Sequence, residues 1–276
     1  MRERAISAVV IAAVVIVVFL LGQPWLTFGI AILALLAAVE VFRLLPPAGF
    51  PVQLLPGIVF PPIAGLAMGW DELPMGWIAV YVAAILIVLA IDAFRRPEVR
   101  DGFLVWMGDS FGALYPSLLA FMAAILVLAP DVPDDALLGG RFSAGQTWLL
   151  VLVLTVWSFD TFAYLSGRTF KKGRFLNHIS PNKTWSGVIG GTVAAVVVGG
   201  LLSWAAGQWL PGGLLMGLLV AIAGQAGDVA ESMLKRTAGA KDSSNLIPGH
   251  GGILDRVDSF LFAAPVVYAY LLIVGS

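Results

Sequence analysis

Acidic side chains at helical spacing mark two places in this chain where phosphate or divalent-cation chemistry can occur. In Gln225-Ala226-Gly227-Asp228-Val229-Ala230-Glu231-Ser232-Met233-Leu234-Lys235-Arg236, the residues Asp228, Glu231 and Lys235 stand at i, i+3 and i+7, one face of a helix. Asp255 and Asp258 repeat the i, i+3 step further on. Two acids one turn apart at a membrane boundary are costly unless a cation or base neutralises them. An exposed helix end with ordinary salt bridges is the simpler account of either pair alone. Taken together, four carboxylates suit a hard cation such as Mg²⁺, which takes oxygen ligands and bridges protein to substrate phosphates, and paired metals suit displacement at phosphorus.

The acid pairs are joined by Lys241-Asp242-Ser243-Ser244-Asn245-Leu246-Ile247-Pro248-Gly249-His250-Gly251-Gly252-Ile253. Glycines there permit tight turns and close backbone approach, and free N–H groups at a helix start can receive a phosphate. His250 can serve as acid, hydrogen-bond donor or loop staple, and a staple is the commonest use of a lone histidine. Upstream, Ser180-Pro181-Asn182-Lys183-Thr184 reads as a helix start with Ser180 as N-cap and Pro181 at the first helical position. Unpaired N–H groups beside Lys183 would then form an anion site, and a capped helix with a snorkelling lysine is the alternative. Asp160, with Tyr164 one turn on, falls inside an apolar run that ends near Arg168, and an intramembrane acid is a functional candidate because lipid cannot solvate it. A structural hydrogen bond to a neighbouring helix is the alternative for Asp160. Glu40, Asp92 and Asp109 lie beside Arg43, Arg95 and Ser110, where pairing or capping accounts for them. There is no G-x4-GK[ST] loop, no strand for a dinucleotide fingerprint and no H-E-x-x-H.

These residues must be positioned by membrane helices. Of 276 residues, 59% are hydrophobic and only 12% charged, with mean hydropathy +0.94; soluble domains carry about 25% charged residues. Cysteine is absent, which excludes thiolate catalysis and Cys-ligated zinc. The net charge of −1 argues against a nucleic-acid partner. Long apolar runs predict an all-α polytopic membrane protein with nine spans at about 5–21, 24–42, 50–69, 74–92, 111–130, 145–166, 184–206, 210–227 and 258–275. The pair around Gly207–Pro211 can alternatively be a re-entrant hairpin. With this register fifteen of the sixteen Lys and Arg fall on one side and only Arg141 on the other, so the N-terminus is cytoplasmic and the C-terminus outside. The first run follows Met1-Arg2-Glu3-Arg4 as a signal peptide does, but it is too long and lacks a cleavage site, and it reads as a retained helix. Gly187-x3-Gly191 and Gly213-x3-Gly217 suit close helix packing. Polar chemistry concentrates in the second half, which divides the chain into packing helices over 1–140 and a catalytic region over 141–276.

The pattern Ser232-x2-Lys235-Arg236-x4-Lys241-Asp242-x-Ser244-x2-Ile247-Pro248-x-His250-Gly251-Gly252-Ile253-x-Asp255-Arg256-x-Asp258 resembles, at every defined position, the C-terminal signature of the bacterial phosphatidate cytidylyltransferases, the CDP-diacylglycerol synthases. Asp160–Arg168 and Ser180–Thr184 are similar to upstream segments of that family, so the resemblance covers about 158–275; the first half matches in hydropathy and in a glutamate near the end of the second helix. Two departures stand out: Ser186 precedes Gly187 where the family commonly has glutamate, and Phe170-Lys171-Lys172-Gly173-Arg174 is a variant run.

The resemblance implies Mg²⁺-dependent conversion of CTP and phosphatidate to CDP-diacylglycerol and pyrophosphate, at the cytoplasmic face of a bacterial inner membrane and in a homodimer. A pair of metal ions is expected, of which the second need not be magnesium. On this reading Asp228 and Asp255 are the principal metal ligands and Glu231 and Asp258 support them. Lys235, Arg236, Lys241 and Arg256 hold phosphates, with Lys235 and Lys241 counted as catalytic beside Asp228 and Asp255. Lys183, Ser180 and Thr184 take part of the triphosphate; Asp160 and Tyr164 line the pocket; His250, Gly251 and Gly252 belong to the substrate-binding loop. Another CTP-dependent lipid enzyme, including a polyprenol-type kinase, is the nearest alternative. A transporter would place its acids near mid-membrane in two equivalent halves, and a scaffold leaves the Gly249–Gly252 loop between acid pairs unexplained.

Overall fold

The structure is a computed structural model that describes residues 2–70, 76–249 and 251–274, with side chains from residue 9 onward. Its elements are helices: α1 (Arg2–Leu21), α2 (Trp25–Leu44), α3 (Leu54–Gly57), α4 (Phe60–Met68), α5 (Gly76–Ala93), α6 (Val99–Ser117), α7 (Ala120–Leu128), α8 (Ala144–Phe170), α9 (Trp185–Ala205), α10 (Leu210–Thr237) and α11 (Leu254–Val274). Extended pairing among the described residues is confined to isolated bridges. Among the described residues, seven segments are long and apolar enough to cross a membrane: α2, α5, the α6–α7 run Val99–Leu128, α8, α9, α10 and α11. The chain is thus an all-helical, polytopic membrane protein.

Two of the nine predicted spans are shorter than expected among the described residues. The first contributes an apolar stretch Val9–Leu21, and the third is Leu54–Met68, which breaks into α3 and α4. Pro56 forces the residue before it out of the helical region, and Leu55 is accordingly extended at φ −77° and ψ 131°. The fifth span begins earlier than the hydropathy suggests. Residues 99–110 are polar enough to read as loop, yet they continue the helix because Val105 is buried and Trp106 Nε1 donates to Leu86 O at 2.9 Å. Likewise α10 runs on to Thr237 past its apolar part. The break at 206–209 separates two helices of 21 and 28 residues, both long and apolar enough to span.

The helices form two compact units, Met1–Val127 with Met233–Val257, and Leu128–Ser232 with Asp258–Ser276. In the first, α2 packs on α4 and α6, and α5 packs on α6. Ala34, Ala37, Ala38 and Val41 give α2 a fully buried small-residue face. The ring of buried Phe42 fills the space over Gly57 and Gly112, where an added Cβ would lie 2.0 and 2.7 Å from it. In the second unit α8 lies along α9 with glycine at the contacts: a Cβ on Gly191 would meet Phe159 O at 2.8 Å, and one on Gly187 would meet Ala163 O at 2.9 Å. Gly217 of α10 sits against α9 in the same way, its imagined Cβ 2.4 Å from Ala195 O. Without a solvent-driven hydrophobic force in lipid, this backbone-level contact is what holds such helices together.

Gly217→Ala is therefore expected to lower stability by about 1–3 kcal/mol through overpacking. Gly76→Ala, at a position with open space around it, should unfold with wild-type protein. Thermal unfolding in detergent would test this; equal midpoints for the two variants would refute the packing account.

Candidate active site

The polar end of the second unit encloses a cavity of about 840 Å³ between the C-terminal part of α8, the 171–184 loop, the start of α9 and α10. Its wall carries Arg168, Lys171, Arg174 and Lys183 against Asp160 and Asp228, a net positive lining within the size range of small-molecule sites. The loop is fixed by backbone pairing. Phe175 N donates to Lys183 O at 2.9 Å, Trp185 N to Gly173 O at 3.1 Å and Ser186 N to Lys172 O at 3.2 Å, and the Phe175 ring stands edge-on to Trp185. Gly173 makes the turn possible at φ +65°.

This pairing changes the expected helix start. Ser180 is not the N-cap; it opens a turn in the loop, its carbonyl accepting from Lys183 N. The cap is Thr184, held extended by its bridge to Arg174, and its Oγ1 accepts from Gly187 N at 3.1 Å. Trp185, Ser186 and Gly187 thus all have protein partners for their N–H groups, so the free amides expected at this helix start are absent and the positive character there is that of Lys183 and the helix dipole. Ser186, in place of the family glutamate, accepts from Lys172 N at 3.3 Å and contacts Thr184 Oγ1, tying the loop to the helix.

Lys183 Nζ lies 2.6 Å from Asp228 Oδ2, with side chains 18% and 31% exposed. Ser232 Oγ reaches the other oxygen of Asp228 at 3.5 Å. Glu231, one turn on, is fully buried. Gly227 lets α10 touch α11 at the backbone of half-buried Asp258, 2.3 Å from an imagined Cβ. Asp160 and Tyr164 both line the cavity, and Arg168 donates to the Tyr164 hydroxyl at 3.1 Å.

The first unit holds a second cluster at the start of α11. Lys235 Nζ and Asp255 Oδ1 pair at 2.5 Å, with side chains only 11% and 6% exposed. Asp255 Oδ2 accepts from Ser243 N, Ser243 Oγ and Gly252 N at 2.8–2.9 Å. Gly251, at φ +82°, and Gly252 bring backbone too close for a side chain: a Cβ on Gly251 would lie 2.7 Å from Asp255 Oδ2. Arg236 donates to Ala240 O and, like Lys241 and Arg256, is exposed. His250 lies outside the described residues.

Glu40 is the residue whose surroundings differ most from the local pairing that the sequence suggests. It is 2% exposed and accepts from Ser243 Oγ, Ser244 Oγ, Ile253 N and Leu254 N, so local pairing with Arg43 does not describe it. Its signal in the sequence is a lone acid in an apolar helix, which requires donors from elsewhere. Asp109 similarly accepts from Gln53 N at 2.8 Å, anchoring the segment before α3.

The chain belongs to the cytidylyltransferase family, whose pattern it matches over residues 2–274, and it is an enzyme of that kind. It is similar to the phosphatidate cytidylyltransferase of Brucella abortus, 38% identical over 231 residues that cover 75% of this chain and 80% of the relative. That of Bacillus subtilis is 32% identical over 289 aligned positions, covering 98% and 97%. That of Haemophilus influenzae is 37% identical over 157 residues, covering 55% and 53%.

Because the Lys235–Asp255 pair is nearly buried, Lys235→Met should cost up to about 3 kcal/mol by stranding a carboxylate. Lys235→Met combined with Asp255→Leu should recover part of that loss. Unfolding midpoints of the single and double variants would check it, and a single variant as stable as wild type would contradict it.

Proposed function

We propose that this protein transfers the cytidylyl group of CTP to phosphatidate, giving CDP-diacylglycerol and pyrophosphate. The observation that carries the reading is the cationic cavity containing the Lys183–Asp228 pair, in a chain whose whole length matches the family. A phosphate oxygen of the lipid attacks the α-phosphorus of CTP, and the bond from that phosphorus to the bridging oxygen breaks, its electron pair leaving with pyrophosphate. No protein nucleophile is needed; positioning and charge neutralisation supply the rate. Lys183, Arg168, Lys171 and Arg174 face the triphosphate across the cavity, and Tyr164, fixed by Arg168, and Asp160 orient the nucleotide. Lys235, with Lys241, Arg236 and Arg256 near it in sequence, supplies further cations for phosphate.

The donor chemistry suits Mg²⁺. Asp228 and Asp255 are each paired with a lysine ammonium, so each carboxylate stands where a cation is already favoured, and a divalent metal would share it with that lysine. Among the described residues no three Asp, Glu or His side chains converge to hold a metal unaided, so a cation would need further oxygen ligands from substrate and water. On this reading Asp228, supported by Glu231 and Asp258, would hold a cation in the second unit and Asp255 one in the first, and a bound cation would neutralise phosphate charge. The basic asymmetry of the loops supports a cytoplasmic N-terminus, an outside C-terminus and a site open to cytosolic CTP. A bacterial inner-membrane homodimer is the setting this reading adopts.

The reaction is tested with purified protein, phosphatidate micelles and CTP labelled at the α- or γ-phosphate. α-Label in lipid with released pyrophosphate is expected; γ-label in lipid would make the protein a kinase. Chelation should abolish transfer and Mg²⁺ restore it. Asp228→Asn should lower kcat/KM about 10²-fold, as expected when a charge that stabilises the transition state is lost, and raise the Mg²⁺ requirement. Wild-type activity and Mg²⁺ response in both Asp228→Asn and Asp255→Asn would overturn the metal assignment.

A further inference from the structure

We propose that Glu40 is a positioning residue for this reaction: from α2 it caps the start of α11 and seats the 243–254 loop, and so sets the place of Asp255 and Lys235. The inference rests on the cytidylyl-transfer reading and adds a residue to it. Glu40 Oε1 accepts from Ser244 Oγ at 2.6 Å and Ile253 N at 3.0 Å; Oε2 accepts from Ser243 Oγ and Leu254 N, both at 2.8 Å. All four partners are neutral donors, and two are backbone N–H groups at the first turn of α11, where the helix dipole favours an anion. A buried carboxylate is thereby stabilised with no lysine or arginine among these partners.

The same two segments are gripped by Asp255, which accepts from Ser243 N and Gly252 N. Ser243 Oγ stands 2.8 Å from an oxygen of each carboxylate. Its single hydrogen serves one of them at a time, so the separation of Glu40 from Asp255 is kept by the backbone donors around it. Gly252 is part of the same fit: a Cβ there would fall 2.4 Å from Glu40 Oε2. Glu40 itself cannot drift, because Ala37, Ala38 and Val41 bury its stretch of α2 completely. A rigid helix thus holds a loop, the loop holds Asp255, and Asp255 holds Lys235 Nζ at the distance of a tight pair.

Wild type, E40Q, E40D and S244A would be purified in detergent and assayed for transfer from α-labelled CTP to phosphatidate, with the folded fraction measured by size exclusion and thermal unfolding. E40Q keeps the volume but turns an amide NH2 toward two of the four donors. Per folded molecule its kcat should fall roughly 30- to 100-fold, the scale of a misplacement of about 1 Å, while the KM for CTP stays within about threefold. E40D, which keeps the acceptor charge, should recover at least about half of that loss on a logarithmic scale, and S244A, lacking one hydroxyl donor, should lose a few-fold in kcat. Wild-type kcat in folded E40Q, or E40D no better than E40Q, would overturn the proposal. If E40Q does not fold, S244A decides, and unchanged kcat there overturns it. A wild type that transfers no α-label is a failure of the functional reading; an active wild type with indifferent variants is a failure of this inference alone.

Discussion

The Lys235–Asp255 pair brings two opposite charges almost wholly out of water, and the arrangement of the first unit's polar end follows from keeping them there. Each ion alone would cost several kcal/mol to bury. The pair is tolerable because Asp255 also receives two backbone amides and a hydroxyl, which requires the 243–252 chain to fold back on the start of α11. Folding back that tightly requires glycine at 251 and 252, and it leaves two more amides and the Ser244 hydroxyl pointing at α2, where Glu40 takes them and shares the Ser243 hydroxyl with Asp255. The second unit repeats the arrangement with Lys183 and Asp228, more exposed and at the wall of a cavity.

Close helix contact lets these polar ends exist beside apolar spans. Glycines on α9 and α10 bring backbones together at positions that side chains would block, while large apolar residues such as Ile189, Val193, Val197 and Leu201 face outward on α9. The lining of the polar cavity is therefore supplied by helix ends and a loop. Its cations come from the sequence where hydropathy falls, between Gly167 and Thr184.

Much of this was legible in the residues. The apolar runs located the helices, and Asp228, Lys183, Asp160 and Tyr164 do meet at one cavity. What hydropathy could not convey was polar structure that continues a helix: residues 99–110 look like loop, but buried contacts such as Val105 keep them helical, whereas the i, i+3, i+7 spacing of Asp228, Glu231 and Lys235 did mark the polar continuation of α10. Ser180 looked like an N-cap because the local pattern Ser-Pro satisfies that role, whereas the bridge between Arg174 and Thr184, a longer-range pairing, moved the helix start. Glu40 was assigned to local pairing for a related reason. Its partners lie more than 200 residues away in the chain, beyond any spacing rule.

The stapled 171–184 loop has a consequence for how the cavity discriminates among anions. Since the amides at the start of α9 already have partners within the protein, an anion bound as proposed would meet ammonium and guanidinium groups in place of an amide cradle. Such groups sense the number of negative charges more than the shape that carries them. On the proposed reading, selection of one nucleobase over another would be made elsewhere in the cavity, and ionic strength would become a control on occupancy, since exposed charges are screened within about 8 Å at physiological salt.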